Sequence, residues 1–82
     1  MHMKLNILAF GITKDILGAA EKEIVVMEGI SVGQLSHILE TDFPQLKQLK
    51  SFFIAVNEEY AEGDRIIESS DEIALIPPVS GG

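Results

Sequence analysis

Apolar and polar positions along this chain follow two different periods, and the change between them divides it into elements. Residues 4–10 (Lys-Leu-Asn-Ile-Leu-Ala-Phe) carry a strand pattern that Gly11 ends, and residues 12–18 form a connection with room for a short helical turn. Residues 21–28 are rich in β-branched side chains, which suit a pleated surface, and predict a second strand broken at Gly29. The period then lengthens: Val32, Leu35, Ile38 and Leu39 recur at helical spacing and form one apolar stripe. Ser31 precedes the stripe and Gln34 follows three places on, the spacing of a capping box that satisfies two orphan backbone donors. Proline pushes the residue before it out of the helical region, so the helix ends near Phe43-Pro44, and Leu46 and Leu49 suggest another short turn.

Residues 52–56 predict a third strand, and Asn57-Glu58 a tight turn, because asparagine tolerates a left-handed backbone. Residues 59–61 form a short return strand, Gly63-Asp64 and Ser70-Asp71 mark turns, and residues 72–76 make the last strand. Pro77 and Pro78 remove two backbone donors and so end sheet pairing. The expectation for residues 77–82 is therefore a loose, flexible tail. The order strand, strand, helix, strand, strand predicts a single α+β domain over residues 1–82, with one main helix on one face of a four- to five-stranded sheet. Met1-His2 ahead of Met3 reads as a vector remnant and is left out of this pattern.

The pattern contains an imbalance. One helix of about three turns covers one face of such a sheet, and the other face should turn polar. Yet Leu5, Ile7 and Ala9 oppose Leu8 and Phe10; Phe53 and Ala55 oppose Phe52, Ile54 and Val56; Ile73 and Leu75 oppose Ala74 and Ile76. Apolar residues on both faces predict an exposed apolar patch, the mark of a protein interface. The alternative is that the segment around Leu46 and Leu49 covers the second face.

Composition narrows the function classes. An 82-residue chain buries about 60% of its unfolded surface, too little for a second domain or a deep cleft. The apolar fraction of 46% argues against disorder. The longest apolar runs fall far short of the ~20 residues of a membrane helix, and no secretory leader pattern opens the chain. With no cysteine, disulfides, thiolate metal sites and thiol catalysis are excluded together, and a cytoplasmic location is expected. A net charge of −7 disfavours nucleic acid, whose phosphates require Lys and Arg. It suits a partner with a basic docking surface, or serves solubility.

No enzyme constellation occurs within the domain. His37 has no second ligand at metal spacing, no serine belongs to a triad motif, and Gly11 and Gly18 lack the phosphate-loop pattern. Glu58-Glu59 and Asp71-Glu72 are sequence neighbours whose side chains diverge on a strand, so neither is a shared-proton pair. The tail remains. Glycine loses the most entropy on ordering, so Gly81-Gly82 is a poor structural element. Without Cβ atoms, however, these residues can thread a narrow channel and present the terminal carboxylate to another protein's active site.

Residues 71–82 (Asp-Glu-Ile-Ala-Leu-Ile-Pro-Pro-Val-Ser-Gly-Gly) are similar to the C-terminal signature of the MoaD family, the small subunits of molybdopterin synthase. Residues 8–18 and the Ala55-Val56-Asn57 hairpin followed by Gly63-Asp64 resemble the same family, so the likeness spans essentially the whole chain. It departs at Lys14, where many members carry an arginine; lysine keeps the charge but loses bidentate hydrogen bonding. The resemblance implies a ubiquitin-like β-grasp fold with Gly82, preceded by Gly81, as the working end. It implies a MoeB-like activating enzyme that uses ATP and magnesium to adenylate the Gly82 carboxylate, a thiocarboxylate formed in its place, and no stably bound cofactor. A MoaE-like large subunit would supply the catalytic groups, in a heterotetramer, while Phe10, Phe53, Leu75, Ile76, Pro77, Pro78, Val79 and Ser80 contact the partner from a sheet face left open. Three other readings stand beside this one: a ThiS-like carrier for thiamine synthesis, a ubiquitin-like modifier of lysines, and a plain interaction module.

Overall fold

The computed structural model describes residues 1–49 and 52–77. Its elements follow the sequence pattern closely: β1 (His2–Ala9), α1 (Ile12–Leu17), β2 (Glu21–Met27), α2 (Val32–Asp42), a 3-10 turn (Pro44–Gln48), β3 (Phe53–Val56), β4 (Glu59–Tyr60) and β5 (Ile73–Ile76). The five strands form one mixed sheet in the order β2-β1-β5-β3-β4. β1 pairs antiparallel with β2 and parallel with β5, and β3 pairs antiparallel with both β5 and β4. The first and last strands thus lie side by side in the middle of the sheet, and α2 belongs to the long crossover between them.

β1 begins two residues earlier than the pattern predicts. His2 pairs with Met27, and the Met1 carbonyl accepts the Glu28 N–H at 2.8 Å. Residues set aside as a vector remnant therefore complete the ladder, because an unpaired β2 backbone lies within reach of whatever precedes Met3.

Leu5, Ile7 and Ala9 from β1, Ile73 and Leu75 from β5, and Ile54 and Val56 from β3 are buried. They form one cluster with Leu35 and Leu39 of α2, each worth about 2 kcal/mol when fully removed from water. Leu46 of the 3-10 turn belongs to that same cluster, so this segment extends the covered side rather than shielding the opposite face. The predicted capping box starts α2: the Ser31 Oγ accepts the Gln34 N–H at 3.2 Å, and the Gln34 Oε1 accepts the Ser31 N–H at 2.9 Å.

Asn57 and Glu58 form the two-residue turn between β3 and β4, with φ of 53° and 70°. Both angles are left-handed, as the tightest hairpins require. Asparagine accepts this conformation, whereas a glutamate there costs about 1 kcal/mol. A Glu58→Gly variant is expected to gain about 0.5–1 kcal/mol in urea unfolding, with an unchanged fold.

The turn is tied to the start of β5. The Asn57 side chain donates to the Asp71 Oδ1 at 2.9 Å and accepts the Glu72 N–H at 2.9 Å, while the Asp71 Oδ2 accepts the Glu68 N–H at 2.8 Å. The Glu68 N–H, with lesser help from Asn57 and Arg65, holds the Asp71 carboxyl below its ordinary value against an opposing burial effect. A lowered folded value means the unfolded chain takes up protons first. The stabilisation is complete above about pH 3.9, the unfolded value, and is lost as pH falls through the folded one. Asp71→Asn should therefore be less stable than the parent at pH 7, by about 1 kcal/mol or less, and thermal unfolding should show the gap closing in acid once the Asp71 carboxyl is protonated in the folded chain too.

Candidate functional site

The sheet face away from α2 is divided in two. Alternation sends Leu8 of β1 and Ala74 and Ile76 of β5 to this side, opposite the buried Ile7, Ala9, Ile73 and Leu75. Register brings Phe53 beside Ile76, Ala55 beside Ala74, and Leu8 beside Ala74. Tyr60 stands opposite Ala55 across the β3–β4 ladder and stacks on the Phe53 ring, with centroids 5.3 Å apart and planes 10° from parallel. Phe10 follows β1 at the same end. Phe10, Phe53 and Tyr60 are 49%, 44% and 67% exposed, although each carries a large apolar ring. Large rings this exposed, on the β3–β4 side of the sheet and beside the end of β1, are the kind of patch that marks a protein interface.

The β2 side of the same face is acidic where it adjoins the patch, at Glu21 and Glu23, and carries exposed Val25 and Met27 towards its far end. Glu21 stands opposite Leu8 and Glu23 opposite Asn6, and the Asn6 Nδ2 donates to the Glu21 Oε1 at 2.6 Å. Glu72 is exposed directly before β5. The surface offered to a partner is therefore an apolar half at the C-terminal end of β5 and an acidic half beside it. A complementary surface is apolar with a basic margin, which raises the association rate more than the affinity.

Of the residues expected at the interface, Phe10, Phe53 and Ile76 share this face, and half-buried Pro77 directly follows Ile76 at the end of β5. Leu75 does not belong there. It is fully buried opposite Ile54 on the α2 side, because adjacent strand residues point to opposite faces and its neighbour Ile76 takes the open one. Pro78, Val79, Ser80, Gly81 and Gly82 lie outside the described residues. Leu8, Ala55, Tyr60 and Ala74 enter the patch without having been expected there. Tyr60 had a signal, since an aromatic residue in a short return strand next to Phe53 favours a cross-strand pair. Lys14 and His37 are exposed on α1 and α2, away from any cluster of metal-ligand type among the described residues. No helix of the described residues is long and apolar enough to cross a membrane.

Comparison with known proteins agrees with this geometry. The ThiS family matches residues 7–82. The human molybdopterin synthase sulfur carrier subunit is 37% identical over 83 residues, covering 96% of this chain and 94% of its own. Among solved structures, a complex of subunits 1 and 2 of the molybdopterin-converting factor from Helicobacter pylori 26695 contains a chain 25% identical, with a TM-score of 0.65 over 98% of this chain and 100% of that one. SAMP1 from Haloferax volcanii shares the fold at 24% identity, with a TM-score of 0.80 over 96% of this chain and 99% of its own. A ubiquitin-like β-grasp domain with the open apolar face, the central C-terminal strand and the Gly-Gly end, matched along its length by such relatives, belongs to the ThiS/MoaD family and groups there with the molybdopterin synthase sulfur carrier subunits.

Proposed function

We propose that this chain is the sulfur carrier of molybdenum cofactor biosynthesis and that it carries sulfur as a thiocarboxylate on Gly82. The observation that carries the reading is the position of β5. It runs through the centre of the sheet and ends at Ile76 within the exposed aromatic patch, so a protein that covers the patch receives residues 77–82 at its own surface.

The chemistry needs three steps, none of which uses a side chain of the domain. A Gly82 carboxylate oxygen attacks the α-phosphorus of ATP, pyrophosphate leaves, and an acyl-adenylate forms. A sulfide-equivalent donor then attacks the acyl carbon, the acyl–oxygen bond breaks, and AMP leaves. The resulting thiocarboxylate sulfur forms a bond to a carbon of the cyclic pterin precursor in the large subunit as an oxygen leaving group of the precursor departs. Water then attacks the acyl carbon and breaks the acyl–sulfur bond, so that the sulfur stays on the pterin and Gly82 returns to a carboxylate. ATP is consumed on the activating enzyme, with magnesium bound to its phosphates. The two partners take the same apolar face in turn, because each must reach the same carboxylate.

The test is the intact mass of the chain after incubation with an adenylating enzyme of this family, ATP and a sulfide donor. The expected result is a gain equal to the difference between sulfur and oxygen, located at Gly82 and absent without ATP. An unchanged mass, with the enzyme active on its own carrier, overturns the reading. A lysine-linked adduct instead of the mass gain would make the chain a modifier.

A further inference from the structure

Thr13 is a buried polar side chain that the carrier reading leaves without a role. It is fully buried in the first turn of α1, at a position where most chains place an apolar residue. Its hydroxyl accepts the Phe10 N–H at 2.9 Å and faces two carbonyl oxygens, that of Phe10 at 2.6 Å and that of Leu75 at 3.3 Å. The Phe10 contacts alone are an ordinary turn motif. The Leu75 contact spans 62 residues of sequence and joins α1 to the last strand.

The register explains why that contact matters. β1 and β5 run parallel with Ala9 opposite Leu75, so the next rung of the ladder lies between the Phe10 N–H and the Leu75 carbonyl. The Thr13 hydroxyl occupies that rung, taking a hydrogen bond from one strand and facing the acceptor of the other. It bridges β1 and β5 one residue before Ile76 and two before Pro77, its single proton shared between the nearer Phe10 carbonyl and the Leu75 carbonyl. Gly11 completes the arrangement. Its φ of 57° and ψ of −130° form a conformation that glycine adopts freely, and a Cβ there would approach the Pro77 Cγ to 3.3 Å. The turn between β1 and α1 therefore meets the exit of β5 at the Leu75 carbonyl, and the missing Cβ of Gly11 leaves the room that the Pro77 ring borders.

We propose that Thr13, supported by Gly11, is a positioning residue that fixes the direction in which the C-terminal segment leaves the sheet. This rests on the carrier reading, because direction matters only if residues 78–82 must enter another protein's active site. The aromatic patch determines whether a partner binds; Thr13 determines where Gly82 arrives once it has bound. A misplacement of about 1 Å at a reacting group costs up to about 100-fold in rate without weakening association.

Two variants separate positioning from simple stability. Thr13→Val keeps the shape and removes the hydroxyl, and Thr13→Ser keeps the hydroxyl and removes the methyl group. At a temperature where both are folded, the rate of Gly82 thiocarboxylation is measured in a single turnover at saturating activating enzyme, together with the dissociation constant. Thr13→Val is expected to react about 10- to 100-fold more slowly with its dissociation constant within about 2-fold of the parent, and Thr13→Ser to react within about 2-fold of the parent. The same variants are read by amide relaxation. The order parameter at Ile76 should fall from about 0.85 to below about 0.6 in Thr13→Val, while Ile7 in the core stays rigid. A saturated rate for Thr13→Val equal to the parent, an unchanged Ile76, or equal loss in Thr13→Ser overturns the inference. Failure of the parent itself to gain sulfur overturns the carrier reading instead, and the Ile76 measurement still decides whether Thr13 orders the exit.

Discussion

Phe53→Asp is expected to fold and to lose about 100-fold in affinity for the large-subunit partner, whereas Leu75→Ala is expected to bind normally when folded but to lose about 3 kcal/mol of stability. Both residues lie in paired strands near the chain's exit, yet they belong to different physical problems. Phe53 is 44% exposed, and its ring stacks on Tyr60 within the sheet's open face. Replacing it forfeits a stacked pair worth about 1 kcal/mol in the free protein. In the complex the loss is larger: the partner gives up about 2–3 kcal/mol of aromatic burial and meets a carboxylate that has to be desolvated. Leu75 has no exposed surface and packs in the cluster with Ile7, Leu35 and Leu39. Truncation there leaves a cavity that a small sheet cannot collapse around. A domain of 82 residues has a total stability on the order of 4–12 kcal/mol, so this one change removes a large share. Urea unfolding and partner titration of the two variants give opposite patterns if the faces are as described. A Leu75→Ala chain that keeps its stability but loses binding would reverse the assignment.

That contrast also marks how far the sequence could be read. Local signals were sufficient wherever neighbours in the chain determine the structure. Ser31 and Gln34 form the capping box that their spacing indicated, and Asn57 leads a left-handed turn because its side chain tolerates that backbone. Strand alternation correctly separated Leu75 from Ile76. It did not say which of the two faces α2 would cover, since both carry apolar residues, and so Leu75 was placed with the interface. The covering is settled by the parallel pairing of β1 with β5, a contact between the two ends of the chain that no local pattern encodes. Thr13 escaped for the same reason: its hydroxyl has ordinary partners in sequence at Phe10 and an informative one at Leu75. The role proposed for Gly81 and Gly82 rests on residue type alone, and both lie outside the described residues.

Removing Gly81 and Gly82 should abolish sulfur loading completely while leaving partner affinity within about 2-fold of the parent, and the truncated chain should then inhibit the synthase in competition with the intact carrier. On the proposed reading, affinity resides in Phe10, Phe53, Tyr60 and Ile76, all of which precede the deletion. On the same reading, reactivity resides in a carboxylate that the deletion moves two residues back, behind the Cβ of Ser80, where a channel fitted to glycine would not admit it. Intact-mass measurement should show no sulfur-for-oxygen gain on the truncated chain under conditions that load the parent fully. Steady-state assays with rising parent concentration should restore the full rate, because both forms occupy the same face of the large subunit. Retained sulfur loading would move the reactive group away from Gly82. Loss of binding together with loading would mean that the tail, rather than the aromatic face, supplies the affinity.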